Sequence, residues 1–86
     1  MKVILHKQFR KNTEKLTSNQ KKKVAEVLRL FRQNPHHPQL NNHALHGKDK
    51  TKRAISAGGD LRLVFEEENN YEIVMFVRVG THNQVY

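Results

Sequence analysis

The sequence has 86 residues, with 16 Lys and Arg against 8 Asp and Glu, a formal charge of +8. That length supports one small core, so a single domain over 1–86 is expected. Cysteine is absent, which excludes disulfides and thiolate metal sites; no apolar run nears the roughly 20 residues that span a bilayer, and a cytoplasmic protein is expected. Val3-Ile4-Leu5 reads as a short first strand. Phe9, Thr13 and Leu16 follow at i, i+4 and i+7, a narrow apolar helical stripe among Lys7, Arg10, Lys11 and Lys15. Thr17 with Gln20 forms a capping box that opens a second helix. Its stripe is Val24, Val27, Leu28 and Phe31, and Pro35 stops it near Asn34. A polar connector, Pro35 to Asn42, leads through His43-Ala44-Leu45-His46-Gly47 to a basic patch of Lys48, Lys50, Lys52 and Arg53. A strand over 52–57 ends at Gly58-Gly59, a strong turn signal. Two more strands, 60–66 and 71–79, flank the turn Glu67-Glu68-Asn69-Asn70, and Gly80 to Tyr86 closes the chain. The expected fold is α+β: a four-stranded, mostly antiparallel sheet with an N-terminal helical hairpin on one face, in the order β-α-α-β-β-β.

The positive excess favours a polyanionic partner, because each phosphate neutralised by Lys or Arg releases counterions. Solubility alone also makes small domains basic, and no helix shows the aromatic and lysine faces of a membrane-surface binder. Alternation along the last two strands sharpens the reading. Ile73, Met75, Val77 and Val79 share one face, and Val74, Phe76 and Arg78 the other; Leu61, Leu63 and Phe65 oppose Asp60, Arg62, Val64 and Glu66. With the all-apolar sets on the helices, Asp60, Arg62 and Arg78 emerge together on the uncovered face. Such a trio is either a cross-strand ion pair or a phosphate clamp beside an acid/base group.

Three segments carry a family resemblance. Asn42-His43-Ala44-Leu45-His46-Gly47, Gly59-Asp60-Leu61-Arg62-Leu63-Val64-Phe65, and Phe76-Val77-Arg78-Val79-Gly80-Thr81-His82 ending in Tyr86 together resemble the RelE/YafQ superfamily of toxin–antitoxin ribonucleases. The YafQ branch reads N-H-x-L-x-G, then D-x-x-L-x-Y, then R-x-G-T-H-x-x-L-[FY]. The resemblance covers the whole chain and implies an mRNA interferase that works on the ribosome and is silenced by a cognate antitoxin. The implied chemistry is attack of a nucleotide's own 2′-hydroxyl on the neighbouring phosphorus, without metal or cofactor. It requires a base, cations around the developing charge and an acid at the departing 5′-oxygen.

The resemblance implies a role for each matching residue. His82 becomes general acid or base, as its near-neutral pKa suits; outside the family it reads as an exposed terminal histidine. Arg78 becomes the brace on the scissile phosphate, and Tyr86 the aromatic that stacks on a base, where it otherwise reads as a packing anchor. Asp60 becomes an aid to proton transfer, in place of simple turn chemistry. His43 becomes a base or an orienting group. Arg62 and Arg53, with the basic patch Lys48, Lys50 and Lys52, become contacts to the RNA backbone. Two departures stand out: Ser56 replaces a histidine usual on the strand before the Gly-Gly turn, and Leu61 replaces a tryptophan. Each weakens the expected activity, since acid–base assistance is commonly worth about 10²–10⁴ in rate. His36, His37, His43 and His46 lack the spacing and acidic partners of a zinc site. The rival reading is a catalytically weak or inactive relative that binds RNA or an antitoxin. A DNA-binding repressor finds no helix-turn-helix spacing to support it.

Overall fold

The computed structural model describes residues 1–86. Strand β1 is Lys2–Leu5, and His6 turns the chain straight into helix α1, Lys7–Glu14, by accepting the Gln8 N–H on its Nδ1 at 3.0 Å. Helix α2, Ser18–Gln33, opens with the capping box read from sequence: Thr17 Oγ1 accepts from Gln20 N at 3.1 Å, and Gln20 Oε1 from Thr17 N at 3.0 Å. It ends where Asn34 becomes extended before Pro35. A 3₁₀ turn at Pro38–Leu40 buries Leu40. There follow β2 (His43–Ala44), a second 3₁₀ turn (Gly47–Asp49), β3 (Arg53–Ser56), β4 (Leu61–Glu68), β5 (Ile73–Thr81) and helix α3 (His82–Val85).

The sheet has five strands in the order β1-β5-β4-β3-β2, with β1 parallel to β5 and every other pair antiparallel. The expected count was four. The fifth is β2, whose His43 and Ala44 pair with Ala54 and Arg53; two residues are too few to show any alternation. The closing segment is helical, not irregular, because Thr81 and Gln84 form a second capping box. The last strand starts later than its pattern suggests. Asn69, Asn70 and Tyr71 all have left-handed φ values of 52°, 55° and 70°, so the turn runs through Tyr71.

Both helices pack on one side of the sheet. Phe31 lies edge-on to Phe65 and Phe76, with ring centres 5.1 and 5.2 Å away, and Phe9 meets Phe76 at 5.7 Å. All four rings are buried, and such pairs add about 0.5–1.5 kcal/mol each beyond the area they bury. On this side β5 departs from simple alternation. Val64 opposes Arg78 while Phe65 opposes Phe76, so Val77 is an extra residue, a bulge. The bulge reverses the inward set: Val79 joins Phe76 and Val74 in the core, whereas Ile73, Met75 and Val77, expected there, lie outside it. Arg78 stays on the outer face, level with Val64 and on the same side as Arg62. That outer face is not bare, since Ala54, Val64 and Val85 form a small second cluster with Leu45 and Val77 against them.

Candidate active site

Helix α3 is too short to be stable alone, and four contacts fix it across the outer face. Val85 buries its side chain in the second cluster. The His82 N–H donates to the Asp60 carbonyl at 2.9 Å. The Thr81–Gln84 box closes its first turn, with Thr81 N donating to Gln84 Oε1 at 2.8 Å. Arg78 Nε donates to the Val85 carbonyl at 2.9 Å, satisfying a group left over at the helix end. Gly80 permits this approach: a Cβ there would lie 2.7 Å from Gln84 Oε1 and 3.3 Å from Val85 Cγ1.

So held, α3 brings His82 and Tyr86 to the end of β2. The His82 and Tyr86 rings meet edge to face at 4.4 Å. His43 stands perpendicular to Tyr86 at 6.4 Å, with its Nε2 3.4 Å from the phenol oxygen. Its other nitrogen, Nδ1, is 2.8 Å from the Asn41 carbonyl. A carbonyl only accepts, so Nδ1 carries a proton, and in the neutral ring the Nε2 lone pair faces Tyr86 and the cleft. The cleft, about 300 Å³, lies between His43, Ala44, Leu45, His46, Asp49 and Tyr86.

The two outer-face arginines differ in how far the protein uses them. Arg62 bonds only through Nη1, to Ser56 Oγ and the carbonyls of Gly59 and Leu61 at 3.2, 2.9 and 3.0 Å. The rest of its fork has no protein partner. Burial raises the Tyr86 pKa above its ordinary value, and the nearby Arg62 charge partly offsets this by favouring the phenolate. Arg78 is more committed, since its Nη2 also donates to Asp49 Oδ2 at 2.8 Å. Asp49 in turn faces Lys52 Nζ at 3.9 Å, and Lys52 reaches Glu66 at 3.3 Å. Asp49 thus ties its own turn to Lys52, just before β3, and to Arg78 of β5, which in turn holds the carboxyl end of α3.

The sequence-derived residues therefore divide. His43 and Tyr86 line the cleft, His82 packs on Tyr86 from behind it, the Arg62 charge acts on Tyr86, and Arg78 braces the cleft wall through Asp49. Asp60 precedes β4 in the turn, exposed and beside His82 by its backbone only. Lys48 and Lys50 are exposed on the loop around Asp49. Arg53 lies elsewhere: it shares the helix-covered face with Ile55 and donates its Nε to Asn42 Oδ1 at 2.8 Å. Asn42 continues to the Pro35 carbonyl and the Tyr71 hydroxyl. Ser56, where the resemblance expected a histidine, is an acceptor for Arg62. Sequence reading passed over Asp49, although it is the one acid in Lys48-Asp49-Lys50-Thr51-Lys52, and over Gly80 and Gln84. The Thr-x-x-Gln spacing was available to mark the latter.

Comparison with known proteins identifies the family and the fold. The profile of a family, "Bacterial toxin of type II toxin-antitoxin system, YafQ", matches residues 1–86. Among solved structures, YafQ from E. coli strain BL21(DE3) superposes with a TM-score of 0.82 at 19% identity, covering 98% of this chain and 96% of that one. A copper-bound mutant toxin from Helicobacter pylori gives 0.73 at 26% identity, covering 100% and 99%. YafQ in the E. coli DinJ-YafQ toxin-antitoxin complex gives 0.70 at 20% identity, covering 98% and 94%. Among curated protein sequences none matches this chain. With the family profile spanning every residue from β1 to α3, the chain belongs to the YafQ family of bacterial type II toxins.

Proposed function

We propose that this toxin is an endoribonuclease that cuts mRNA on the ribosome and that an antitoxin silences it. The observation that carries the reading is Tyr86 at the cleft with an imidazole on either side, His43 and His82, and the half-free Arg62 guanidinium close enough to act on its phenol. His43 Nε2, with its lone pair outward and its tautomer set by Asn41, takes the proton of the attacking 2′-hydroxyl. His82 gives a proton to the departing 5′-oxygen. Arg62 offers its unused N–H groups to the phosphorane-like transition state, where preorganised donors act most strongly. Arg78, held by Asp49 and Val85, braces the same wall. Tyr86 lies against His82 with its other face to the cleft, a surface on which a base stacks. Asp60 supports His82 from the neighbouring turn, and the exposed Lys48 and Lys50 meet the message backbone.

Toe-print mapping in a reconstituted translation system tests this. Wild-type toxin should cut mRNA only with ribosomes present, and His82→Ala or His43→Ala should lower the rate about 10²-fold or more. Intact message under wild-type toxin overturns the proposal. Two observations favour a second reading, a binding module without chemistry: Ser56 stands where the family pattern has a histidine, and Arg78 already holds a carboxylate. That reading expects salt-dependent RNA binding, indifferent to His82→Ala, with no cleavage.

A further inference from the structure

A second cleft, larger than the first at about 440 Å³, opens on the other side of α3. It forms because β1 ends at Leu5 and the chain turns away into α1, while β5 continues to Thr81. The edge of β5 past that point has no neighbouring strand. Its N–H groups are met by side chains instead: Asn12 Oδ1 accepts from Val79 N at 3.1 Å, and Gln84 Oε1 from Thr81 N at 2.8 Å. Gln20, on the opposite wall, spends its oxygen on Thr17 N at 3.0 Å. Four carboxamides line the cleft, and three of them, Asn12, Gln20 and Gln84, have their acceptor atoms already used, leaving Gln8 with its oxygen free. What each of these three has left is an NH₂ with two donors, and none of the three donates to another protein group. Lys15 adds an ammonium with no acidic partner, and no Asp or Glu lines the cleft.

A cavity furnished with donors and a cation selects a ligand that is anionic and only accepts hydrogen bonds. We propose that this cleft is a phosphate-binding groove for the RNA strand, seating a backbone phosphate beyond the scissile one. The inference rests on the ribonuclease reading, because α3 is the wall between the two clefts. Val85 lines this one and the next residue, Tyr86, lines the other. A strand seated at His43 and Tyr86 leaves across α3 and meets the amide groove. Its phosphates would replace water as partners for the Asn12, Gln20 and Gln84 NH₂ groups. An acidic peptide offers similar acceptors, but only a strand seated in the first cleft is carried past α3.

The experiment turns on isosteric changes. Asn12→Asp and Gln84→Glu keep the oxygen that caps β5 but replace the outward NH₂ with an anionic oxygen; Lys15→Gln removes only a charge. The full chain, labelled with ¹⁵N, is titrated with a single-stranded eight-nucleotide RNA bearing 2′-deoxy substitutions that block cleavage. The side-chain NH₂ resonances of Asn12, Gln20 and Gln84 should shift. Each isosteric variant should lose about tenfold in affinity or more, and Lys15→Gln should reduce the salt slope by about 1, with backbone resonances outside the groove unmoved. Variants that bind the oligonucleotide as wild type does overturn the proposal, as does wild type that does not bind it. Loss of antitoxin binding with oligonucleotide binding retained also overturns it, assigning the groove to a peptide. Toe-printing on the same variants keeps the two readings apart: groove-dependent binding without any cleavage by wild type refutes the nuclease reading alone, while wild-type cleavage with unaffected variants refutes the groove alone.

Discussion

Gly80→Ala places a methyl group where β5 and α3 nearly touch. The new Cβ would lie 2.7 Å from Gln84 Oε1, 3.2 Å from Gln84 Cβ and 3.3 Å from Val85 Cγ1, against about 3.5–4.0 Å for relaxed carbon contacts. Gly80 has no left-handed backbone, so alanine is conformationally acceptable and the conflict is purely steric. The Gln84 carboxamide can swing aside only by releasing Thr81 N, and the other two atoms belong to stiff bases of side chains. Helix α3 must therefore draw back by roughly 0.5–1 Å, at about 1–3 kcal/mol for overpacking. The loss of unfolded-state freedom on replacing glycine returns about 0.4–1 kcal/mol. A net cost of about 1–2 kcal/mol lowers the melting temperature by about 4–8 °C per kcal/mol in a domain of this size. The effect on cleavage should be larger, because His82 and Tyr86 ride on α3 and a 1 Å misplacement can cost about 10²-fold. Thermal melts and cleavage rates at 20 °C, where the variant stays folded, separate the two effects. Wild-type cleavage by Gly80→Ala, with α3 amide resonances unmoved, would show that α3 does not set the site geometry.

Four further outcomes are expected. Arg62→Ala removes the charge that favours the Tyr86 phenolate, so the Tyr86 pKa should rise further in an absorbance titration, with Tyr86→Phe identifying its share against Tyr71. Because burial makes folded Tyr86 hold its proton more tightly than the unfolded chain, its stabilising contribution is present below the ordinary value of 10.0 and is lost as pH rises through the folded pKa; denaturant melts of wild type and Tyr86→Phe should diverge only there. Asp49→Ala frees Arg78 Nη2 while Lys52 keeps Glu66, so the salt slope of RNA binding should steepen by about 1, and an unchanged slope would mean that Arg78 stays bound within the protein. Phe31→Ala empties the centre of the aromatic cluster and should cost about 3–5 kcal/mol in chemical denaturation.

The helical hairpin was legible because its signals are local: two 3.6-period stripes, one capping box and one proline. The sheet was legible only where strands are long. In β5 the sequence alternates cleanly through Val77, and nothing in it marks that residue as unpaired; the bulge follows from how β5 meets β4. It redirected Ile73, Met75 and Val77 yet left Arg78 on the same face as Arg62, so the face assignment of the arginines outlasted an error in the packing reading. Arg53 shows the converse. It sits in a basic run that looks uniform in sequence, but Ala54 and Ile55 face opposite sides, and its own position follows Ile55. Asp49 escaped notice because its partner, Arg78, lies far away in the chain and meets it only across the folded sheet.

The pairing of β1 with β5 has a consequence for the birth of the molecule. The earliest strand to leave a ribosome finds its neighbour only in the latest, and loop closure on that scale is entropically slow. Until β5 emerges, Phe9 and Phe31 lack Phe76, and the imidazole and phenol of α3 have not been translated. A nascent chain therefore has neither its closed aromatic core nor the α3 side chains until β5 and α3 have both emerged.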